Sequence, residues 1–154
     1  KGIESLRDSL RETVEEYASQ AFAELTTEKG FSGLEINNNY GLSIVDHEKR
    51  VLKERSAGAE QIVALSLIDG LNRTARKSGP IIMDTPLGRL DPQHRQNVLA
   101  YLPKMAEQVV LLVHEGEIDQ NSGLGNLAGR IGARYQIEHI SATQSRIVKS
   151  IKNG

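Results

Sequence analysis

Residues 81–91 read IIMDTPLGRLD. Ile81, Ile82 and Met83 form a continuous apolar run, the pattern of a short strand buried on both faces of a parallel sheet. Asp84 closes the run. An acid directly after such a strand sits at the carboxyl edge of the sheet, where open α/β folds place ligands. A hard cation such as Mg²⁺ suits that position, because it keeps several waters and takes one or two carboxylates. Taken alone, an acid after a short apolar run reads as an ordinary turn residue, so its neighbours carry the argument.

Downstream, DPQHRQNVLAYLPKMAEQ (91–108) predicts a helix opened by Asp91 as N-cap with Pro92 at its first position, the preferred order for those residues. VVLLVH (109–114) predicts a second buried strand that delivers His114 to the same sheet edge as Asp84. Upstream, a long helical pattern begins at Ser56, and Ile62, Val63, Leu65, Leu67, Ile68 and Leu71 cover so much of its circumference that substantial burial is expected. RKSGP (76–80) breaks it. GLEINNNYGLSIVD (33–46) alternates apolar and polar residues around NNNYG, which predicts a hairpin. At the front, Ile3, Leu6, Leu10, Val14, Tyr17, Ala21 and Leu25 recur at spacings of three and four, predicting an amphipathic helix ended by Gly30. That helix reads either as a surface helix of its own domain or as the stump of a coiled coil. NSGLGNLAGR (121–130) is expected to be a Gly-rich loop or short helix, and ARYQIEHI (133–140) and SRIVKS (145–150) closing strands. The whole is α/β organisation.

Composition narrows the function classes. With 154 residues the chain fits one domain, and with a net charge of −1 and 25% charged residues it has a soluble, globular profile rather than a polycationic one. Four Tyr, two Phe and no Trp leave little for base-stacking platforms. The absence of cysteine removes disulfides and thiolate chemistry and agrees with a reducing cytoplasm. No apolar run approaches the roughly 18–20 residues of a membrane span. The basic stretches HEKRVLKER (47–55) and RTARK (73–77) are either solvated faces or phosphate contacts. Because the chain opens at Lys1 inside a helical pattern, a piece of a longer protein is expected.

In this order and spacing, the motifs resemble the C-terminal half of an ATP-binding cassette ATPase over most of residues 33–149. RSAGAEQ (55–61) resembles the signature L-S-G-G-E-x-Q: Ser56, Gly58 and Gln61 match, whereas Arg55, Ala57 and Ala59 depart. The resemblance implies that Ser56, with Ala57, Gly58 and Gln61, binds nucleotide held by an opposing subunit. The free N–H groups and positive dipole end of the helix that follows would face its γ-phosphate. IIMD resembles the Walker B strand, which makes Asp84 the Mg²⁺ partner. Leu90 and Asp91 resemble the D-loop, and His114 the switch histidine. The leading helix, together with SAG and TPLGRLD, is similar to the branch of chromosome-maintenance and SbcC ATPases, in which a coiled coil separates two ATPase halves. DTPLGRLD is most similar to the DndD family, the ATPases of bacterial DNA phosphorothioation.

The implied fold is an α/β C-terminal lobe of an SMC-like head, with a mostly parallel sheet flanked by helices. Residues 1–30 would end a coiled coil, and 31–154 would form the lobe. The implied activity is hydrolysis of ATP with Mg²⁺, in a homodimer closed by ATP, acting on DNA with other modification or repair subunits and without a membrane. Two departures qualify it. Cassette ATPases place Glu directly after the Walker B Asp, where it orients or deprotonates water; Thr85 cannot act as a base at neutral pH. Either hydrolysis is slow, leaving a dimerisation switch, or Asp91, His114 or Glu115 does the work. There is also no G-x-x-x-x-G-K-[ST], so a partner half carrying that phosphate-binding loop is required and the fragment alone is expected to be inactive. A transporter subunit fits less well, given the leading helix and the scarcity of aromatics.

Overall fold

The computed structural model describes residues 2–52, 55–75, 79–114, 116–118, 127 and 129–150. The elements run α1 (Gly2–Leu25), β1 (Phe31–Ile36), β2 (Leu42–Asp46), α2 (Ala57–Thr74), β3 (Ile81–Asp84), α3 (Pro92–Met105), β4 (Val109–Leu112), β5 (Tyr135–Ser141) and β6 (Gln144–Lys149).

Helix α1 behaves as two halves. Its first turns carry exposed Ile3, Leu6 and Leu10, whereas Val14, Ala18, Ala21, Phe22 and Leu25 are buried against the lobe. The helix stops at Leu25, five residues before the expected Gly30. Thr26 and Thr27 are the reason, since their short polar side chains compete with helical backbone bonds. The Thr26 hydroxyl accepts the Glu28 N–H (3.2 Å), and the Thr27 N–H donates to His94 Nε2 on α3 (3.3 Å).

The hairpin forms as expected, with β1 and β2 antiparallel and Leu34 opposite Ile44. Asn37 shapes its turn: Oδ1 accepts the N–H groups of Asn39 (2.9 Å) and Gly41 (2.8 Å). Tyr40 takes a left-handed φ of 61° there.

Helix α2 buries Ile62, Val63 and Leu65 as expected, but the second half of its buried face differs from the expected one. Ile68 and Leu71 are exposed, and Ser66, Asp69 and Gly70 are buried in their place. The cause is the closeness of α1: a β-carbon on Gly70 would stand 2.8 Å from the Val14 carbonyl oxygen and 3.0 Å from Ala18. Only small residues fit such a crossing. Asp69 enters this interface because the Tyr101 hydroxyl on α3 donates to it at 2.9 Å. Arg73 stands 3.6 Å from the same carboxylate and lies 4.1 Å over the Tyr17 ring of α1.

Strands β3 and β4 pair in parallel, from Ile81 with Val109 to Asp84 with Leu112, and α3 supplies the crossover that a parallel pair needs. A mostly parallel sheet is not formed among the described residues. The other strands make two antiparallel hairpins, β1–β2 and β5–β6, because their short connections allow only that arrangement. β4 also ends at Leu112, so Val113 and His114 lie beyond the strand. The expected closing strands form, but as an exposed hairpin paired with itself. The Gly-rich stretch 121–130 falls largely outside the described residues.

The core gathers Phe22 and Leu25 of α1, Ile44 of β2, Ile62 and Leu65 of α2, Leu87, and Val98 and Leu99 of α3. Each such side chain contributes about 1.5–3 kcal/mol on burial.

Candidate functional site

Core packing positions the site. Pro86 and Leu87 are fully buried and Leu90 nearly so, which pins the turn after β3 from below and leaves Asp84, Gly88, Arg89 and Asp91 on the surface. Within that turn the Gly88 N–H donates to the Thr85 carbonyl (3.5 Å) and the Leu90 N–H to that of Leu87 (3.2 Å).

Asp84 ends β3 with an exposed side chain whose carboxylate accepts no hydrogen bond among the described residues. Thr85 extends the parallel register by one bond, its N–H reaching the Leu112 carbonyl at 2.8 Å. It does so with a φ of 47°, a left-handed conformation unusual for a β-branched residue. Strain of this kind persists only where the surroundings over-determine it, here the strand bond before the turn and the buried Pro86 after it. His114, two residues beyond Leu112, is exposed. The expectation that one sheet edge carries both Asp84 and His114 therefore has a geometric counterpart, with His114 displaced beyond the strand.

Ser56 is the N-cap of α2: its hydroxyl accepts the Ala59 N–H at 3.1 Å. Ala57 is exposed, and Gln61 is partly buried one turn on. Arg55, which departs from the signature, donates from its guanidinium to the Leu42 carbonyl and ties the start of α2 to the hairpin. Gly58 brings the start of α2 against the turn after β3, since a β-carbon there would stand 3.3 Å from the Arg89 carbonyl oxygen. Ser56 and Asp84 share no hydrogen bond among the described residues.

Asp91 caps α3. Oδ1 accepts the Gln93 (3.0 Å) and His94 (3.1 Å) N–H groups, and Oδ2 is bonded to His94 Nδ1. The His94 side chain, followed by these backbone bonds, holds the carboxyl below its ordinary range. Both oxygens are engaged, which makes Asp91 a poor general base. Glu115 lies outside the described residues.

Two residues passed over in the sequence organise this edge. From α3, Arg95 donates through Nε to the Leu90 carbonyl (2.9 Å), and through a terminal nitrogen to the carbonyls of Gly116 (3.2 Å) and Glu117 (3.4 Å). Glu117 is a buried acid, and its Oε2 accepts the His114 N–H at 3.2 Å. Position alone hinted at Glu117, three residues after His114 in a Gly-containing turn.

A metal fit rests on Asp84. No three acidic or histidine side chains converge among the described residues. One free carboxylate at a strand end matches Mg²⁺, which draws its remaining ligands from water and phosphate. The basic stretches give less. Arg50 is paired with Asp46 (2.7 Å) and Glu48 (2.9 Å), and Arg73 is engaged by Asp69 and Tyr17. A groove of about 370 Å³ between the end of α1 and α3 is lined by Ala23, Thr27, Phe31, Gln93 and Asn97, among others, and by none of the candidate residues.

The fold has counterparts of known structure. A structure from work on ATP-driven dimerization and DNA-stimulated activation of SMC ATPases matches 96% of this chain and 89% of its own, at 17% identity and a TM-score of 0.65. The fold is similar to part of such SMC head structures. An Smc head bound to the C-terminal winged-helix domain of ScpA matches at a TM-score of 0.68 and 16% identity, over 96% of this chain and 45% of that one. The Pyrococcus furiosus Smc head with an extended coiled coil, bound to the C-terminal domain of ScpA, gives 0.63 and 17%, over 90% and 35%. The chain thus spans less than half the length of these last two. No protein-family model matches it, and no curated protein matches it significantly. Among the described residues no helix is long and apolar enough to cross a membrane.

Proposed function

We propose that this chain is the C-terminal lobe of a dimerising head that binds and hydrolyses ATP with Mg²⁺. Residues 1–30 belong to the end of a coiled coil, and the remainder to the lobe. The observation that supports this most is the parallel register: Asp84 pairs with Leu112 and Thr85 bonds to it, so the strand-end acid and His114 leave the same edge of β3–β4.

In this reading Asp84 orients the nucleotide's Mg²⁺, which when bound neutralises charge developing on the phosphates. His114 faces the γ-phosphate. Ser56, Ala57, Gly58 and Gln61 at the start of α2 serve the nucleotide of a second copy, through the N–H groups a helix start leaves open. Asp91 shapes the D-loop as a cap. The phosphate-binding loop comes from an N-terminal half. The outward faces of β3–β4 (Ile82, Val110, Leu112) and β5–β6 (Tyr135, Ile137, Ile147) are apolar and exposed, as a lobe that seats against further chain requires. DNA is the substrate on which the head works, and phosphorothioation, through the likeness to DndD, is the favoured pathway over SbcC-like repair.

The experiment is ATP turnover by the complete head. Asp84→Ala is expected to lower turnover by about a hundredfold or more, the scale of losing an electrostatic partner of the transition state. Unchanged turnover would remove the enzyme reading. A second reading, a hydrolysis-weak dimerisation switch, is favoured by Thr85, which carries no carboxylate where cassette ATPases place Glu. Thr85→Glu separates the two, since a marked rise in turnover supports the switch. Duplex-DNA affinity with ATP at two salt concentrations tests the DNA contact, which loses its basis if affinity is indifferent to salt.

A further inference from the structure

Glu117 and Asp69 are the two buried carboxylic acids among the described residues, and the reading above assigns Glu117 no role. A buried carboxylate is unfavourable unless hydrogen bonds and packing hold it. Glu117 has both, and they join two loops. Its Oε2 accepts the His114 N–H (3.2 Å) while its own N–H donates to the His114 carbonyl (3.2 Å). His114 and Glu117 are thereby tied twice, once through the side chain, and Gly116 takes a φ of 88°. The other oxygen presses on the turn after β3: Oε1 would lie 2.7 Å from a β-carbon on Gly88. Glycine at 88 is what gives the carboxylate room. Arg95 bonds to Leu90 on one loop and to Gly116 and Glu117 on the other, bracing the same junction from α3.

We propose that Glu117 is a positioning residue for ATP turnover: it fixes His114 against the Thr85–Leu90 turn, so that the Asp84 side and the His114 side of the nucleotide site move as one unit. The proposal rests on the ATPase reading. It acts through an acceptor oxygen and a packed contact with Gly88, and Glu117 does not itself touch nucleotide.

Steady-state ATP turnover and thermal unfolding of the full-length protein test it, with Glu117→Ala, Glu117→Gln, Gly88→Ala, the double Gly88→Ala/Glu117→Ala, and Asp84→Ala as control. Glu117→Ala is expected to lower kcat about tenfold or more with KM for ATP within about twofold, the signature of lost transition-state geometry rather than lost binding. Glu117→Gln keeps the acceptor and retains most of kcat. Gly88→Ala lowers kcat in the wild type and has no further effect when Glu117 is already Ala, the non-additivity expected of touching residues. If Glu117→Ala does not fold, the Gln and Gly88 variants still decide. Wild-type kcat in Glu117→Ala overturns the proposal, as does a Gln variant as slow as the Ala one or an additive double. Those results with an inactive Asp84→Ala leave the ATPase reading standing. A fully active Asp84→Ala takes down both.

Discussion

Ser56 shows how one side chain can carry a structural and a proposed functional role that mutation separates. Its hydroxyl caps α2 by accepting the Ala59 N–H at 3.1 Å, and loss of such a cap costs about 1 kcal/mol. Ser56→Ala should therefore lower stability by about that amount in urea unfolding. Ser56→Asp keeps a good cap and adds negative charge where a phosphate of the opposing nucleotide is proposed to sit. It is expected to unfold like the wild type yet to lose ATP-dependent dimerisation in sedimentation. An Asp variant that dimerises normally would place the nucleotide elsewhere. Thr85 makes a related point. Its left-handed backbone is invisible in the letter T, and it arises because the chain must bond to Leu112 and then dive at once into the core with Pro86 and Leu87.

At the scale of elements, the junction of α1, α2 and α3 is polar at its centre. Asp69 is fully buried, takes a hydrogen bond from Tyr101, and has its Oδ1 without a hydrogen-bond partner among the described residues. Burial pushes its carboxyl above the ordinary 3.8, outweighing the Tyr101 bond and the nearby Arg73. The same burial, with the Asp69 carboxylate, raises Tyr101. For Asp69 the folded state holds its proton longer than the unfolded chain does, so its contribution to stability falls as pH rises from 3.8 through the raised folded value. Asp46 and Asp91 run the other way: both are lowered by hydrogen bonds, from Arg50 and His94, and their contribution is lost as pH falls below 3.8. Asp69→Asn keeps an acceptor for Tyr101 and cannot ionise. Its stability relative to wild type should rise in urea unfolding as pH climbs above 3.8. A difference independent of pH would mean that Asp69 titrates normally.

For the whole molecule, exposed apolar faces are the main feature. Ile137 and Ile147 are directly opposed across β5–β6 and are 66% and 70% exposed, and Ile82 on β3 is 68% exposed. A two-stranded hairpin with a bare apolar face is marginal on its own. Ile137→Glu with Ile147→Glu should make the isolated chain less prone to self-association in light scattering, and should block its assembly with the proposed P-loop half. Unimpaired assembly would show that this hairpin does not carry the joint. Helix α1 has the same character, bare at Ile3, Leu6 and Leu10 and clamped to the lobe from Val14 onward.

The sequence by itself determined most of the local elements: the α1 periodicity, the NNNYG hairpin, the helix beginning at Ser56, the Asp91 cap, and Asp84 at the close of an apolar strand. These rest on hydrogen bonds and periodicities spanning a few residues, which composition and spacing encode directly. Only the tertiary structure decided what meets across long separations. The Gly70 approach to Val14 turns α2 so that Asp69 is buried and Leu71 is not. Glu117 is an ordinary surface-type residue until the chain lays Gly88 against it, and Arg95 joins two loops that its own position in a helix does not reveal. Such pairs are set by the fit of surfaces on distant segments, and each partner's local pattern is satisfied equally well without the other.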